Sequence, residues 1–348
     1  AITTFCKTSS AYPAPRHITA PNWMSDTDAK MLQQTLYPAF EQRWLQSIDP
    51  RHQAGISHDI YLKLWTLSNP IIPADFILFD EAQDADPLMM GALIYVGDAH
   101  QQIYEWRGAL NAMKRLPYPQ TLLTQSFRFG EPIARIANVF LKALNENIPL
   151  KGNPNQSSIL AKSLVHGAKD AILCRTNATA MSHLLDGLKL GHKVALQADS
   201  HRILRFCQGA DSLRNGKSAS GIPELAYFNH WQEVQEFSET GEGGDLKTWV
   251  KLIEEHGTTT ITKAINSLTM PSHADYVVST AHKSKGLEWN RVQISDDFLY
   301  DINSLAVKIT PEELRLLYVA CTRGKNLLDI HHISDLLHAL QHKKLILG

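Results

Sequence analysis

Cysteine is scarce and scattered: the 348 residues hold four, Cys6, Cys174, Cys207 and Cys321, with no CxxC pair. That spacing excludes a disulfide-stapled scaffold and a cysteine-based zinc centre. It predicts a reducing compartment in which the thiols serve as small hydrophobes. Net charge is scarce too, since 34 Lys and Arg stand against 35 Asp and Glu. A polybasic protein is excluded; a basic groove on an otherwise neutral surface is not. The longest apolar run, Leu88 to Val96, contains a glycine and falls well short of the ~18 residues of a membrane-spanning helix. Internal repeats and low-complexity tracts are lacking, the opening residues do not read as a secretory leader, and neither Gly-x-Ser-x-Gly nor HExxH occurs.

What is present reads as two domains of ordinary size, each able to bury a core. Pro13, Pro15 and Pro21 predict an extended stretch, and Ser25 to about Leu67 is mostly helical, with Trp44, Leu45 and Ile48 at helix spacing. Phe76-Ile77-Leu78-Phe79 is a short apolar run bounded by turn residues, the signature of a strand buried on both faces. Leu93–Val96 reads the same way; Thr121–Thr124, Ala171–Cys174 and Tyr276–Ser279 also read as strands, and a helix is predicted from about Pro132 to Leu144. Pro117 and Pro119 mark the boundary, giving domains at 1–117 and 118–348, with a helical insertion at about 191–271. Thr310-Pro311-Glu312-Glu313 reads as a capping box. Leu314, Leu317, Tyr318 and Cys321 follow as an apolar stripe, and Gly324 is placed to stop the helix. Strands alternating with helices in two blocks make the fold class α/β.

The chemistry concentrates in a few loops. Asp80 and Glu81 are adjacent carboxylates at the end of a strand, with Asp84 and Asp86 close behind. Such crowding is unfavourable without a cation, and Mg²⁺ is the usual partner. The loop after the next strand carries Gln101, Tyr104, Trp106 and Arg107. Phe127-Arg128 follows the boundary, His282, Lys283, Lys285, Gly286 and Glu288 follow a later strand, and Thr322-Arg323 ends the capped helix.

Taken in order, these segments resemble motifs II to VI of the superfamily 1 DNA helicases of the UvrD/Rep type, with Ile172–Ala178 similar to the extra motif between IV and V. Thr4-Phe5 with Ala11-Tyr12 looks like a degraded form of the family's TFHSLAY segment. Residues 205–217 and 243–257 look most like the F-box DNA helicase subgroup. The resemblance implies two RecA-like parallel-sheet domains with helical insertions, the first incomplete at its N-terminus, and it implies ATP and Mg²⁺ as cofactors. Asp80 would coordinate the metal, Glu81 would activate water and Gln101 would sense the γ-phosphate. Arg128 and Arg323 would reach the triphosphate, aligned only when the domains close on nucleotide; a guanidinium suits this because it stays charged and forks across phosphate oxygens. Phe127 would stack on the adenine, Glu288 would accept from the ribose, and Gly286 belongs to the same nucleotide-binding set. Tyr104 and Trp106 would stack on bases, with Arg107, Arg175 and His282 on the DNA strand.

Absent is the phosphate loop GxxxxGK[ST] that such an enzyme needs ahead of motif II. The nearest string, Asp211 to Ser218, has aspartate in place of the first glycine and lies after motif IV, so it reads as a surface turn. With Ala1 in place of methionine, the expectation is an N-terminal segment outside this sequence that carries the loop, and poor ATP turnover by this chain alone. Two functions follow. The first is an ATP-driven 3′–5′ helicase acting on single-stranded and duplex DNA, with recombination or repair proteins as partners and no membrane. Its location would be cytoplasmic, nucleoid-associated if bacterial and nuclear if eukaryotic. The second is a non-catalytic helicase-like module that binds single-stranded DNA or a protein. His338 and His342, four apart, lack the further ligands of a zinc site.

Overall fold

The computed structural model describes residues 1–21, 24–52, 56–71, 73–84, 94–103, 121–161, 169–240, 244–303 and 305–347. The chain divides into two compact units, Ala1–Gln120 and Thr121–Gly348. The prolines read as the boundary, Pro117 and Pro119, and also Asp86, lie outside the described residues.

In the first unit, helix α1 (Ile2–Cys6) is followed by the long α2 (Asp26–Ile48) and by α3 (His58–Leu67). Ser25 starts α2 by accepting the Asp28 amide at 3.2 Å, a side-chain cap for a donor the helix leaves unpaired. Phe40, Trp44 and Ser47 recur on one face of α2, and the first two pack with Phe5, Cys6, Ile18 and Ile60 into a small core. Lys63 is fully buried there, its ammonium on the Thr8 carbonyl and over the Phe5 ring. Strands β1 (Leu78–Phe79) and β2 (Ile94–Tyr95) pair in parallel.

The expectation that this first strand is buried on both faces is corrected: Phe76 and Leu78 are exposed, as are Ile94 and Val96. A parallel pair buries its faces only where further strands and helices cover it, and among the described residues β1 and β2 form a two-stranded sheet.

The second unit is built on a six-stranded sheet. Its strands are β3 (Ile159–Ala161), β4 (Ala171–Cys174), β5 (Val194–Gln197), β6 (Tyr276–Thr280), β7 (Trp289–Ile294) and β10 (Gly324–Asp329), all parallel, in the order β3-β10-β7-β4-β6-β5. β4 and β6 are buried along their whole length, as central parallel strands should be. A smaller sheet holds β8 (Asp301–Ile302), β9 (Ala306–Ile309) and β11 (Lys344–Leu347).

Helix α4 (Glu131–Ala143) buries Ile133, Ala134, Ala137, Phe140 and Leu141, one stripe of a 3.6-residue period. Helix α5 (Asn177–Lys189) starts at the Thr176 hydroxyl, which accepts the Thr179 amide at 3.1 Å. The region read as a helical insertion opens with β5 and then forms α6 (Ser200–Arg214), α7 (Trp231–Ser238), α8 (Gly244–His256) and α9 (Thr258–Asn266), with Phe206 stacked on Trp249 at 4.5 Å. Helices α10 (Pro311–Cys321) and α11 (Ser334–His342) complete the unit.

Three local readings change. Thr121–Thr124 is extended chain that joins no strand among the described residues, tied down by the bridge between Gln125 and Lys151. Thr310 does cap α10, accepting the Glu313 amide at 3.1 Å, but the Glu313 carboxylate does not return to the cap. It bonds Arg175 and the Leu299 amide instead. Gly324 opens β10 rather than closing α10. No helix among the described residues is long and apolar enough to cross a membrane.

Candidate functional site

The loop before α4 is held from several sides. Ser126 accepts the amides of Arg128 at 3.1 Å and Phe129 at 3.4 Å, folding the chain back on its own hydroxyl. Asn153 donates its backbone amide to the Phe129 carbonyl at 2.8 Å and its side chain to the Phe127 carbonyl at 3.3 Å. The Gly130 amide reaches the buried Ser158 hydroxyl at 2.8 Å, and Ser158 in turn donates to the Lys325 carbonyl. Glycine is required at 130 because a Cβ there would lie 2.1 Å from the Gln156 carbonyl oxygen.

This scaffold presents Phe127 to solvent, 82% exposed, and turns Arg128 toward the start of β7. Arg128 donates Nε to Glu288 at 2.8 Å and Nη1 to the Thr322 carbonyl at 3.2 Å. The other Glu288 oxygen accepts from Lys325 Nζ at 3.0 Å. The two cations hold the Glu288 carboxyl below the usual carboxylate range, the Arg128 bond contributing most. Ser126, Phe127, Arg128, Gln156, Glu288 and Lys325 line one open pocket of about 440 Å³. An aromatic face, a fixed anion and two cations are thus gathered at the N-terminal edge of β7 and β10. The Arg128–Glu288 pair is partly exposed on both sides and is worth at most ~1 kcal/mol, so a more highly charged anion can displace it.

Arg323 stands next to this pocket but is 1% exposed. Its guanidinium donates to the Val319 carbonyl at 2.8 Å, the Thr322 hydroxyl at 2.9 Å and the Leu287 carbonyl at 3.4 Å.

At the opposite, C-terminal edge of the sheet sit Arg175, after β4, and His282, after β6. Arg175 is pinned. Its amide and that of Thr176 donate to the two Asp297 oxygens at 2.9 Å each, and its Nε donates to the buried Glu313 at 3.1 Å. Burial outweighs this cation and raises the Glu313 carboxyl above its ordinary value. The loop from 281 to 288 therefore runs from one edge of the sheet to the other. Gly286, at φ +82°, takes the left-handed turn that closes it.

In the first unit, Asp80 and Glu81 are exposed at the end of β1, the Glu81 amide donating to Asp80 Oδ1 at 2.8 Å. Glu81 has φ +54°, a left-handed conformation that costs a non-glycine residue ~1 kcal/mol. It is kept there by the Ala82 amide on the Val96 carbonyl at 2.9 Å and by Gln83.

Gln83 is fully buried; its amide nitrogen donates to Glu81 Oε2, and its oxygen accepts the Asp98 amide at 3.1 Å. Asp98 Oδ2 then accepts from Gln101 Nε2 at 3.0 Å. One run of hydrogen bonds joins Glu81 to Gln101. A Cβ on Gly97 would meet the Gln83 oxygen at 2.2 Å, so glycine there makes room for that amide.

For a magnesium ion the donor set fits in kind. Asp80 offers exposed carboxylate oxygen, and Mg²⁺ bound beside phosphates needs only one or two carboxylates. Among the described residues no group of three or more His, Cys, Asp or Glu could hold a metal by itself. Tyr104, Trp106 and Arg107 lie outside the described residues.

The string Asp211–Ser218 closes α6. Gly216 has φ +65°, and the Lys217 amide bonds the Ser212 carbonyl at 2.8 Å, a glycine-terminated helix end. A helix C-terminus presents carbonyls and negative potential, the reverse of what phosphate needs. Sequence reasoning missed Lys325, Gln156 and Gln83. Lys325 lies just past Arg323, at the start of β10, and neither it nor Gln156 carries a local signal that marks it.

Residues 225–335 match the family UvrD-like helicase C-terminal domain. The chain is 31% identical over 333 residues to F-box DNA helicase protein 1 of Schizosaccharomyces pombe, an alignment covering 83% of this chain and 38% of that protein. It is 30% identical over 338 residues to F-box DNA helicase 1 of Gallus gallus, covering 84% of this chain and 32% of the relative. The chain thus spans about a third of the length of these relatives.

Proposed function

We propose, from the premise that this chain belongs to the UvrD/Rep-type helicases of superfamily 1, that it supplies nucleotide- and DNA-handling parts of an ATP-dependent 3′–5′ DNA helicase acting in repair or recombination. The observation that carries the reading is the pocket that brings the neighbours Phe127 and Arg128 together with the sequence-remote Glu288, residues whose chemistries suit base, phosphate and sugar in turn. Phe127 offers a ring to stack on a base, Glu288 accepts sugar hydroxyls, and Arg128 is held by a bond weak enough to be exchanged for phosphate. Arg323 joins once its backbone bonds are exchanged for phosphate oxygens.

In the first unit, Glu81 takes the proton of the attacking water and Gln101 hydrogen-bonds the terminal phosphate, their spacing set through Gln83 and Asp98. Asp80 would hold magnesium, which when bound neutralises phosphate charge. Arg175 and His282, with Tyr104, Trp106 and Arg107, serve the DNA strand.

The test is ATPase activity of the whole gene product, in Mg²⁺, with and without single-stranded DNA. Turnover stimulated by DNA and abolished by Glu81→Gln, with DNA binding retained, is the expected result. DNA binding with no turnover in the wild type would assign the chain to a non-catalytic module. This chain alone is expected to turn over poorly, because its sequence has no GxxxxGK[ST] loop before Asp80.

A further inference from the structure

Lys325 has no role in the reading above, on which this inference rests, yet it lines the same pocket. The Glu288 carboxylate has one oxygen on Arg128 and the other on Lys325. The two cations differ in what holds them. Arg128 sits in a loop, and its guanidinium is the group that phosphate would draw away. Lys325 belongs to β10, where it lies between the Gly324 and Leu327 pairings with β7, and its backbone is tied down by its carbonyl, which accepts the buried Ser158 hydroxyl. When Arg128 leaves, Lys325 stays.

We propose that Lys325 is a positioning residue that keeps the Glu288 carboxylate in place as acceptor for the hydroxyls of a ribonucleotide while Arg128 turns to its phosphates. A carboxylate has about four lone-pair directions; an ammonium takes one and leaves room for the two donors of a ribose diol. A single point charge also does not fork, so it steadies the carboxylate without covering it. Arg128 and Lys325 are the charged groups that act on Glu288 among the described residues. With Arg128 engaged elsewhere, removal of Lys325 leaves the carboxylate without a cation, and it takes up a proton at a higher pH.

The experiment titrates the chain with ADP, followed by amide chemical shifts of the pocket residues, at pH 7.5 and pH 5. The expected result is that Lys325→Met weakens ADP binding about fivefold at pH 7.5, the size of one partly exposed charged hydrogen bond. Relative to the wild type at the same pH it loses more at pH 5, and Lys325→Arg, which keeps the charge but forks, restores part of the loss. Circular dichroism checks that the variants fold. If Lys325→Met binds ADP as the wild type does at both pH values, the positioning role is overturned and the site assignment stands. A loss relative to the wild type that is no larger at pH 5 than at pH 7.5 overturns it as well. Wild-type pocket residues that do not respond to millimolar ADP overturn the site assignment and the inference together.

Discussion

Arg175 has two claims on it, and its removal separates them. As a DNA contact, its loss weakens binding and leaves the fold intact. As the cation on Glu313, its loss strands a carboxylate whose side chain is 8% exposed. Breaking a buried pair from one side costs ~3–5 kcal/mol. Arg175 is itself 22% exposed, so water replaces part of what is lost, and about 2–3 kcal/mol is expected for Arg175→Met. At ~2–4 °C per kcal/mol for a unit of this size, its melting temperature falls by about 5–10 °C.

Glu313→Gln keeps the shape and the Leu299 contact without the buried charge, and Arg175→Met should cost far less in that background. The pH dependence has a definite sign. Burial raises the Glu313 carboxyl in the folded state, so its contribution to stability is present below its unfolded value and is lost as pH rises through the folded one. Glu313→Gln therefore flattens the stability profile on that side. The assay is thermal unfolding of the four proteins at pH 4.5 and pH 7.5, beside single-stranded DNA binding at each pH. Additive losses, or an Arg175→Met variant that melts with the wild type and binds DNA poorly, would refute the structural assignment.

Two further outcomes are expected. Gly130→Ala places a Cβ 2.1 Å from the Gln156 carbonyl oxygen and should destabilise the second unit by ~2–3 kcal/mol in chemical denaturation. Gly191→Ala, at φ +81° in open space, should cost only the ~1 kcal/mol of its backbone, and equal losses would show that the close packing at 130 is not the cause. Gln83→Ala in the whole gene product should lower kcat for ATP more than it raises KM, because it frees Glu81 without touching nucleotide contacts. Gln83→Glu should do more harm at pH 8 than at pH 6, since it sets a second carboxylate beside Glu81, and a pH profile like that of the wild type would exclude this role.

The central strands were legible because burial on both faces leaves a local mark: Ala171–Cys174 and Tyr276–Ser279 read as strands, and β4 and β6 are buried throughout. Thr121–Thr124, with two leucines between threonines, also read as a strand and joins none among the described residues, since pairing depends on a partner that sequence does not place. Glu313 shows the limit most clearly. Its local pattern is that of a capping box, and its carboxylate is instead taken by Arg175, 138 positions away. The site divides in the same way. Arg128, Glu288 and Arg323 stand in motifs that the family resemblance marks, and the structure brings the first two into one pocket. Gln83 and Lys325 bond other side chains, Glu81 and Glu288, and only the folded partner reveals that.

Nor does sequence say which edge of a sheet a residue serves. His282 and Glu288 lie six positions apart, yet the loop that joins them crosses from the C-terminal edge of β6 to the N-terminal edge of β7. A parallel crossover usually takes a dozen or more residues, and this one is shorter. It manages by turning tightly, with Ser284 buried and bonded to the Ala281 carbonyl at 2.7 Å, the Leu287 amide on the Ser284 carbonyl at 2.9 Å, and Gly286 at positive φ. The residue assigned to the DNA strand and the residue assigned to the nucleotide therefore share one backbone segment.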